Sequence, residues 1–239
     1  MEITEKNNVG ELVAQDYRAA AVFSKYGIDF CCNGNRSIDE ACQQGNIDAS
    51  KVVYDLNEAT ATQSTGSIDY SSWPLDLLAD YVEKKHHRYV EAKTGEIIPY
   101  LSKIARVHGD RHPELKEVEE LFNQSAGDLA QHMKKEELIL FPFIRKMVKA
   151  KDSNQPLQAS SFGTVENPID AMKHDHNAEG ERFRRIAELT NNYEVPEDGC
   201  TTYRVTLSML KEFEADLHLH IHLENNILFP KAIELEKQF

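Results

Sequence analysis

"DLAQHMKKEELILFP", residues 128–142, and "DLHLHIHLENNILFP", residues 216–230, are one pattern written twice, D-L-x-x-H-x-x-x-E-x-x-I-L-F-P, without a gap and 88 residues apart. Taken alone, the second copy reads like a half-buried strand, because His218, His220 and His222 alternate with leucine and isoleucine. Of these three histidines only His220 recurs in the first copy, as His132, and Glu224 recurs with it as Glu136. Residues four apart share one face of a helix, with ~5–6 Å between their Cβ atoms, so each copy is read as a helix that offers an imidazole and a carboxylate to the same point.

The same 88-residue offset joins His86 to His174, each preceded by a lysine and each 46 residues ahead of the repeated histidine. The chain therefore carries a duplicated helical hairpin. Six positions follow from the repeat: His86, His132, Glu136, His174, His220 and Glu224. They fall on apolar stripes, Leu75, Leu78, Val82, His86 and Val90 in one helix and Phe213, Leu217, His220, Glu224, Ile227 and Leu228 in another. A glutamate aimed into a bundle core is costly unless charge compensates it, and a metal supplies that charge. One His and Glu pair four apart is ordinarily a solvated helix pair; the repetition on inward faces points to metal.

Imidazole with carboxylate suits iron, with manganese and zinc as weaker choices. Six ligands are too many for one tetrahedral zinc and suit two metals bridged by the two glutamates, with two histidines each. Asp128 and Asp216, one turn back, either orient ligand histidines, form a second, looser cation position, or remain solvated. His87, His108, His112, His176, His218 and His222 have no counterpart at the offset and are read as surface or supporting residues. Pro142 and Pro230 are expected to end or kink their helices.

Punctuation along the chain predicts an all-α protein. In the first 60 residues a helix from about Val9 to Tyr26 stops at Gly27. Ser37 and Glu40 form a capping-box pattern for a short helix ending at Gly45, and another helix starts near Ala49. The Ser, Thr and Gly-rich residues 61–72 read as a linker. From residue 73 to 239, four long helical segments follow, opened by Pro74, Pro113, Asn167-Pro168 and the neighbourhood of Cys200, which predicts an antiparallel four-helix bundle.

A formal charge of −13, from 40 acids against 27 bases, disfavours nucleic acid and anionic membrane surfaces. The N-terminal residues have neither a basic region nor an apolar core of a leader, and no stretch approaches ~20 apolar residues, so a cytoplasmic location is expected. Of the four cysteines, Cys31 and Cys32 are adjacent, with Cα atoms ~3.8 Å apart, too close for an unstrained disulfide. Free thiols are expected, in an exposed or hinge-like loop before the turn residues Asn33, Gly34 and Asn35, with Cys42 the nearest third thiol.

"DFCC", Asp29 to Cys32, together with the duplicated H-x-x-x-E and "ILFP", resembles the iron-sulfur cluster repair di-iron proteins, a family with an N-terminal cysteine-pair domain and a hemerythrin-like domain. The resemblance runs over almost the whole chain. It implies two non-haem irons on His86, His132, Glu136, His174, His220 and Glu224, bridged by the glutamates and an oxo group. It also implies restoration of iron-sulfur clusters damaged by nitric oxide or peroxide through iron donation to client proteins, and a cytoplasmic homodimer. Many relatives follow the two cysteines with Gly-Gly, where this chain has Asn33-Gly34. Cys31 and Cys32 then read as iron-relay or redox thiols. The competing readings are a nitric-oxide-reducing or oxygen- or peroxide-reactive di-iron enzyme, and a binder or sensor of diatomic gases; all three use the same bundle.

Overall fold

The computed structural model describes residues 3–61 and 68–239, and among them it is helical, with no β-strand. Four helices build the N-terminal part: α1 (Val9–Gln15), α2 (Arg18–Lys25), α3 (Ile38–Gly45) and α4 (Ala49–Thr60). The single helix expected from Val9 to Tyr26 is broken at Asp16, whose backbone is extended and whose carboxylate accepts from the Arg18 backbone N–H at 3.1 Å and Nε at 2.9 Å. A local side-chain acceptor thus competes with the helix. The Ser37–Glu40 capping box is present in both directions, and Gly27 turns the chain at φ +67°. Within the expected linker, residues 62–67 lie outside the described residues, while Tyr70–Ser72 form a short 3₁₀ turn with Tyr70 packed on Trp73 and Tyr81.

Four rods follow. The first is α5 (Leu75–Tyr81) and α6 (Arg88–His108), joined by a π-helical turn at Val82–His87. The second joins α7 (Glu114–Lys135) to α8 (Phe141–Asp152) through a π-turn at Glu136–Leu140. The third is α9 (Glu166–Leu189). The fourth joins α10 (Thr201–Leu223) to α11 (Phe229–Glu236) through a π-turn at Glu224–Leu228.

The "ILFP" repeat explains two of the wide turns. Pro142 and Pro230 have no N–H and their rings crowd the carbonyl four residues back. The helix opens by one residue instead of stopping: Phe141 N–H reaches Glu136 O, and Phe229 N–H reaches Glu224 O. Both prolines then sit in the first turn of the helix that follows, where no donor is missed.

Apolar residues gather into two clusters. One mixes the N-terminal helices with one half of the bundle, including Phe23, Phe30, Ile38 and Leu56 with Leu101, Phe122, Phe183 and Phe213. The other holds Leu78, Phe141, Ile144, Ile169, Leu228 and Phe229. The rods pass from one to the other at a polar layer, between Met133 and Leu140 in the second rod and between Ile221 and Leu223 in the fourth. Phe213 anchors the first cluster, edge-on to Phe122 at 5.3 Å and stacked on Phe183 at 5.5 Å. Phe213→Ala is expected to cost ~3–5 kcal/mol, read as a fall in urea midpoint with unchanged slope; a loss below ~1 kcal/mol would show that this trio does not hold the bundle.

The N-terminal helices rest directly on the fourth rod. Asn226 Nδ2 donates to Phe30 O at 3.1 Å and Asn225 Nδ2 to Cys31 O at 3.1 Å. Phe30 lies edge-on to His218 and His222, at 6.1 and 5.9 Å between centroids. Gly10 permits this approach, since a Cβ there would stand 2.7 Å from Asn226 Oδ1, and Gly34 lets the N-terminal part fold on itself, since a Cβ there would stand 2.4 Å from Phe30 O and 3.0 Å from Gly10 Cα. Asn33 uses no left-handed backbone; its side chain instead donates to Asp29 Oδ2 at 2.9 Å. The cysteine loop is correspondingly enclosed rather than exposed, with Cys31 buried and Cys32 partly so.

Candidate metal centre

Glu136 and Glu224 each begin a π-turn and each is fully buried. Glu136 Oε2 lies 3.3 Å from His132 Nε2 and 3.3 Å from His87 Nε2. Glu224 Oε2 lies 3.2 Å from His220 Nε2 and 3.1 Å from His176 Nε2. These atoms form two overlapping groups, His87, Glu136, His220 and Glu224 on one side and His132, Glu136, His176 and Glu224 on the other, each within 4.8 Å. Both glutamates belong to both groups.

Four of the six positions picked by the repeat therefore come together: His132, Glu136, His220 and Glu224. The other two, His86 and His174, lie outside both groups, which His87 and His176 join. His86 is buried beside His220, its ring stacked on it at 5.7 Å, its Nδ1 3.0 Å from Asp216 Oδ2 and its Nε2 without a partner among the described residues. The stripe Leu78, Val82, His86 and Val90 assumes 3.6 residues per turn, and the π-turn at Val82–His87 advances the helix by one residue, so that His87 faces the glutamates. His174 is exposed. The buried stripe of α9 runs Ile169, Met172, His176, Phe183 and Ile186, and that spacing was the signal available for His176.

Asp216 serves His86, and Asp128 is paired with Arg182 at 2.7 Å. The partners of the clustered rings are Glu137, whose Oε1 is 3.1 Å from His87 Nδ1, Asp175, whose Oδ2 is 3.3 Å from His132 Nδ1, and Asn225, whose Oδ1 is 2.9 Å from His176 Nδ1. A carboxylate can only accept, so His87 and His132 carry their protons on Nδ1 and turn Nε2 lone pairs inward. Lys134 holds Glu137 at 2.7 Å and Lys135 holds Asp175 at 3.1 Å. Of the histidines set aside for lack of a counterpart, His218 and His222 form the platform under Phe30, and His222 Nδ1 meets Asn226 Nδ2 at 2.9 Å.

A cation fits this donor set. Both oxygens of both glutamates are buried and have no hydrogen-bond partner among the described residues, and neither have His87 Nε2 and His220 Nε2. His132 Nε2 and His176 Nε2 face each other at 3.1 Å. Burial lowers His87 and His132 to about 4, so both are neutral and able to donate a lone pair. Burial and the charge of Glu224 push Glu136 well above the carboxylate range, whereas Glu224, despite its burial, is held well below by His220 and His176. Two buried carboxylates facing each other cannot both ionise without a positive charge between them. The donor chemistry, imidazole nitrogen with carboxylate oxygen, is that of iron, manganese or zinc.

A third group lies on the N-terminal part: Asp29, Cys31 and Cys32 offer donor atoms within 4.8 Å of one another. Asp29 Oδ1 accepts the backbone N–H groups of Cys31 and Cys32, at 3.1 and 2.9 Å, and the two sulfurs are 3.7 Å apart. Cys32 Sγ is 3.4 Å from His176 O, so the thiols stand over the helix that carries one of the clustered histidines.

A duplicated helical hairpin with a buried His and Glu cluster defines a hemerythrin-like cation-binding bundle, and the model of the hemerythrin HHE cation binding domain matches residues 79–232. Residues 5–60 match ScdA_N, described as a domain of unknown function. The chain belongs to the iron-sulfur cluster repair protein family. It is 32% identical over 236 residues to the iron-sulfur cluster repair protein YtfE of Musicola paradisiaca, covering 99% of this chain and 100% of that one. It is 31% identical over 229 residues to the iron-sulfur cluster repair protein ScdA of Staphylococcus haemolyticus, covering 96% and 99%. To YtfE of Pectobacterium atrosepticum it is 34% identical over 234 residues, covering 96% and 97%. Among the described residues no helix is long and apolar enough to cross a membrane.

Proposed function

We propose that this protein restores iron-sulfur clusters damaged by nitrosative or oxidative stress, by holding two irons in the bundle and giving iron up to cluster-depleted client proteins. The observation that carries the reading is the convergence of four inward imidazole nitrogens on two buried glutamates whose oxygens have no partner among the described residues. In it, His87 and His220 would hold one iron, His132 and His176 the other, and Glu136 and Glu224 would be shared between them. When bound, iron supplies redox chemistry and a site for small ligands such as nitric oxide or oxygen. The chain orients the rings from outside through Glu137, Asp175 and Asn225. The names of the relatives support the repair role, and the family resemblance supports a cytoplasmic homodimer.

The N-terminal residues 1–60 form the unit that relays iron through Cys31 and Cys32, joined to the bundle by residues 61–72. The placement of Cys32 Sγ 3.4 Å from His176 O, with Cys31 Sγ 3.7 Å from that sulfur, supports this. The test mixes reduced, iron-loaded protein anaerobically with a client stripped of its cluster, and separately with nitric oxide. Stoichiometric iron loss to the client is the expected result; many nitrous oxide turnovers per site would favour a nitric oxide reductase instead. Replacing Cys31 and Cys32 together with alanine is expected to leave iron loading intact and slow transfer by ~10-fold or more, in line with loss of a ligand on the route. Unchanged transfer would remove the thiols from the route.

A further inference from the structure

We infer that Asn225 is a positioning residue through which the docked N-terminal part sets the state of His176, and that the His132–His176 side therefore holds the exchangeable iron. This rests on the two-iron reading above. The logic begins with an amide. Asn225 Nδ2 is 3.1 Å from the carbonyl of Cys31, which can only accept, so the NH₂ of Asn225 must point there. Its Oδ1 is then the atom 2.9 Å from His176 Nδ1. His176 Nδ1 must carry the proton, and Nε2 is left as a lone pair facing Glu224. A backbone carbonyl of the N-terminal part thus selects the tautomer of a ring in the bundle.

His176 differs from its companions in this respect. His87 and His132 are oriented by carboxylates of the bundle, which accept whichever way they rotate. An amide does not. When Cys31 moves away, Asn225 is free to flip, present N–H to His176 Nδ1 and drive the proton to Nε2, where the ring no longer binds a cation.

Two further observations place the exchange on this side. Cys32 is seated on α9 over the same turn: its Sγ lies 3.4 Å from His176 O, and a Cβ on Gly180, four residues on, would stand 3.1 Å from that sulfur. A cleft of about 280 Å³ opens beside His132 and His176, lined also by Asp128, Lys135, Asp175 and Glu179, whereas His87 and His220 do not line it. Iron on the His132–His176 side would lie beside that cleft and have a ligand whose state follows docking.

The test loads the full-length chain anaerobically with ferrous iron, adds excess ferrous chelator and follows release by absorbance, with maleimide labelling of Cys32 as a second readout. The wild type is expected to release iron in two phases of equal amplitude. Asn225→Ala should speed the fast phase by ~10-fold or more, the scale of losing a supporting partner of a ligand histidine, and leave the slow phase within about twofold. Asn225→Asp keeps an acceptor for His176 Nδ1 but cannot donate to Cys31. It should return the fast phase to about the wild-type rate while Cys32 labels faster, as in Asn225→Ala. Equal acceleration of both phases, no acceleration in Asn225→Ala, or equal effects of the two variants would overturn the inference. A wild type that loads two irons but releases them in one phase unaffected by Asn225→Ala sinks this inference alone; a wild type that does not load two sinks the two-iron reading with it.

Discussion

Glu136→Gln is expected to change stability in opposite directions with and without metal. With metal present, the variant loses a bridging carboxylate shared by both groups of donors, and metal affinity should fall by more than ~100-fold, beyond what loss of an outer partner costs. The wild type then gains stability from bound metal that the variant does not. Without metal the sign reverses. Burial and Glu224 push Glu136 well above its ordinary value, so the folded chain holds a proton that the unfolded chain releases once the pH exceeds ~4.3. Metal-free wild type therefore loses stability as the pH rises from that point towards the raised folded value, and glutamine, which does not titrate, escapes the loss. By pH 8 metal-free Glu136→Gln should be the more stable by at least ~1 kcal/mol, with the gap closing towards pH 5. Paired thermal melts with metal and with chelator measure both signs. A variant less stable than wild type in both states would contradict the site.

The second large effect separates helix register from repeat symmetry. His176→Ala and His87→Ala are each expected to lose iron from their own side, with affinity there down by more than ~100-fold. His174→Ala, on an exposed face, should keep full loading. His86→Ala removes a ring stacked on His220 and bonded to Asp216, so it should retain iron while loosening the His220 side. Iron content of the four purified variants, measured side by side, is decisive: full loading in His176→Ala with loss in His174→Ala would return the assignment to the repeat.

Much of the centre was legible because helix periodicity and duplication are both properties of the chain read in order. His132 with Glu136, and His220 with Glu224, are local pairs on one face, and neither needs knowledge of another rod. The lone histidines were not legible in the same way. His86 and His87 are adjacent, and their choice turns on the π-turn at Val82–His87, which shifts one face against the next without a proline to announce it. His174 and His176 compete on one helix, and strict repeat symmetry favoured the exposed residue over the one on the Ile169–Met172–Phe183 stripe. Asn225 lay inside the opening pattern but had no meaning until Cys31, 194 residues away in sequence, was placed against it.

By itself the sequence determined an all-α chain, a duplicated hairpin, two glutamates with two histidines four residues before them, and an acidic protein with a thiol pair near its start. Those are consequences of spacing, capping and charge, which act within a turn or two of helix. The tertiary structure alone decided which histidines gather around the glutamates, which polar groups bond them, and that the cysteine loop is seated beside His176. It also gave the alternating histidines of residues 216–230 two tasks: His220 faces Glu224, while His218 and His222, rotated off that face, carry Phe30. Such outcomes depend on packing between segments far apart in the chain, where a one-residue shift of a helix exchanges one side chain for its neighbour.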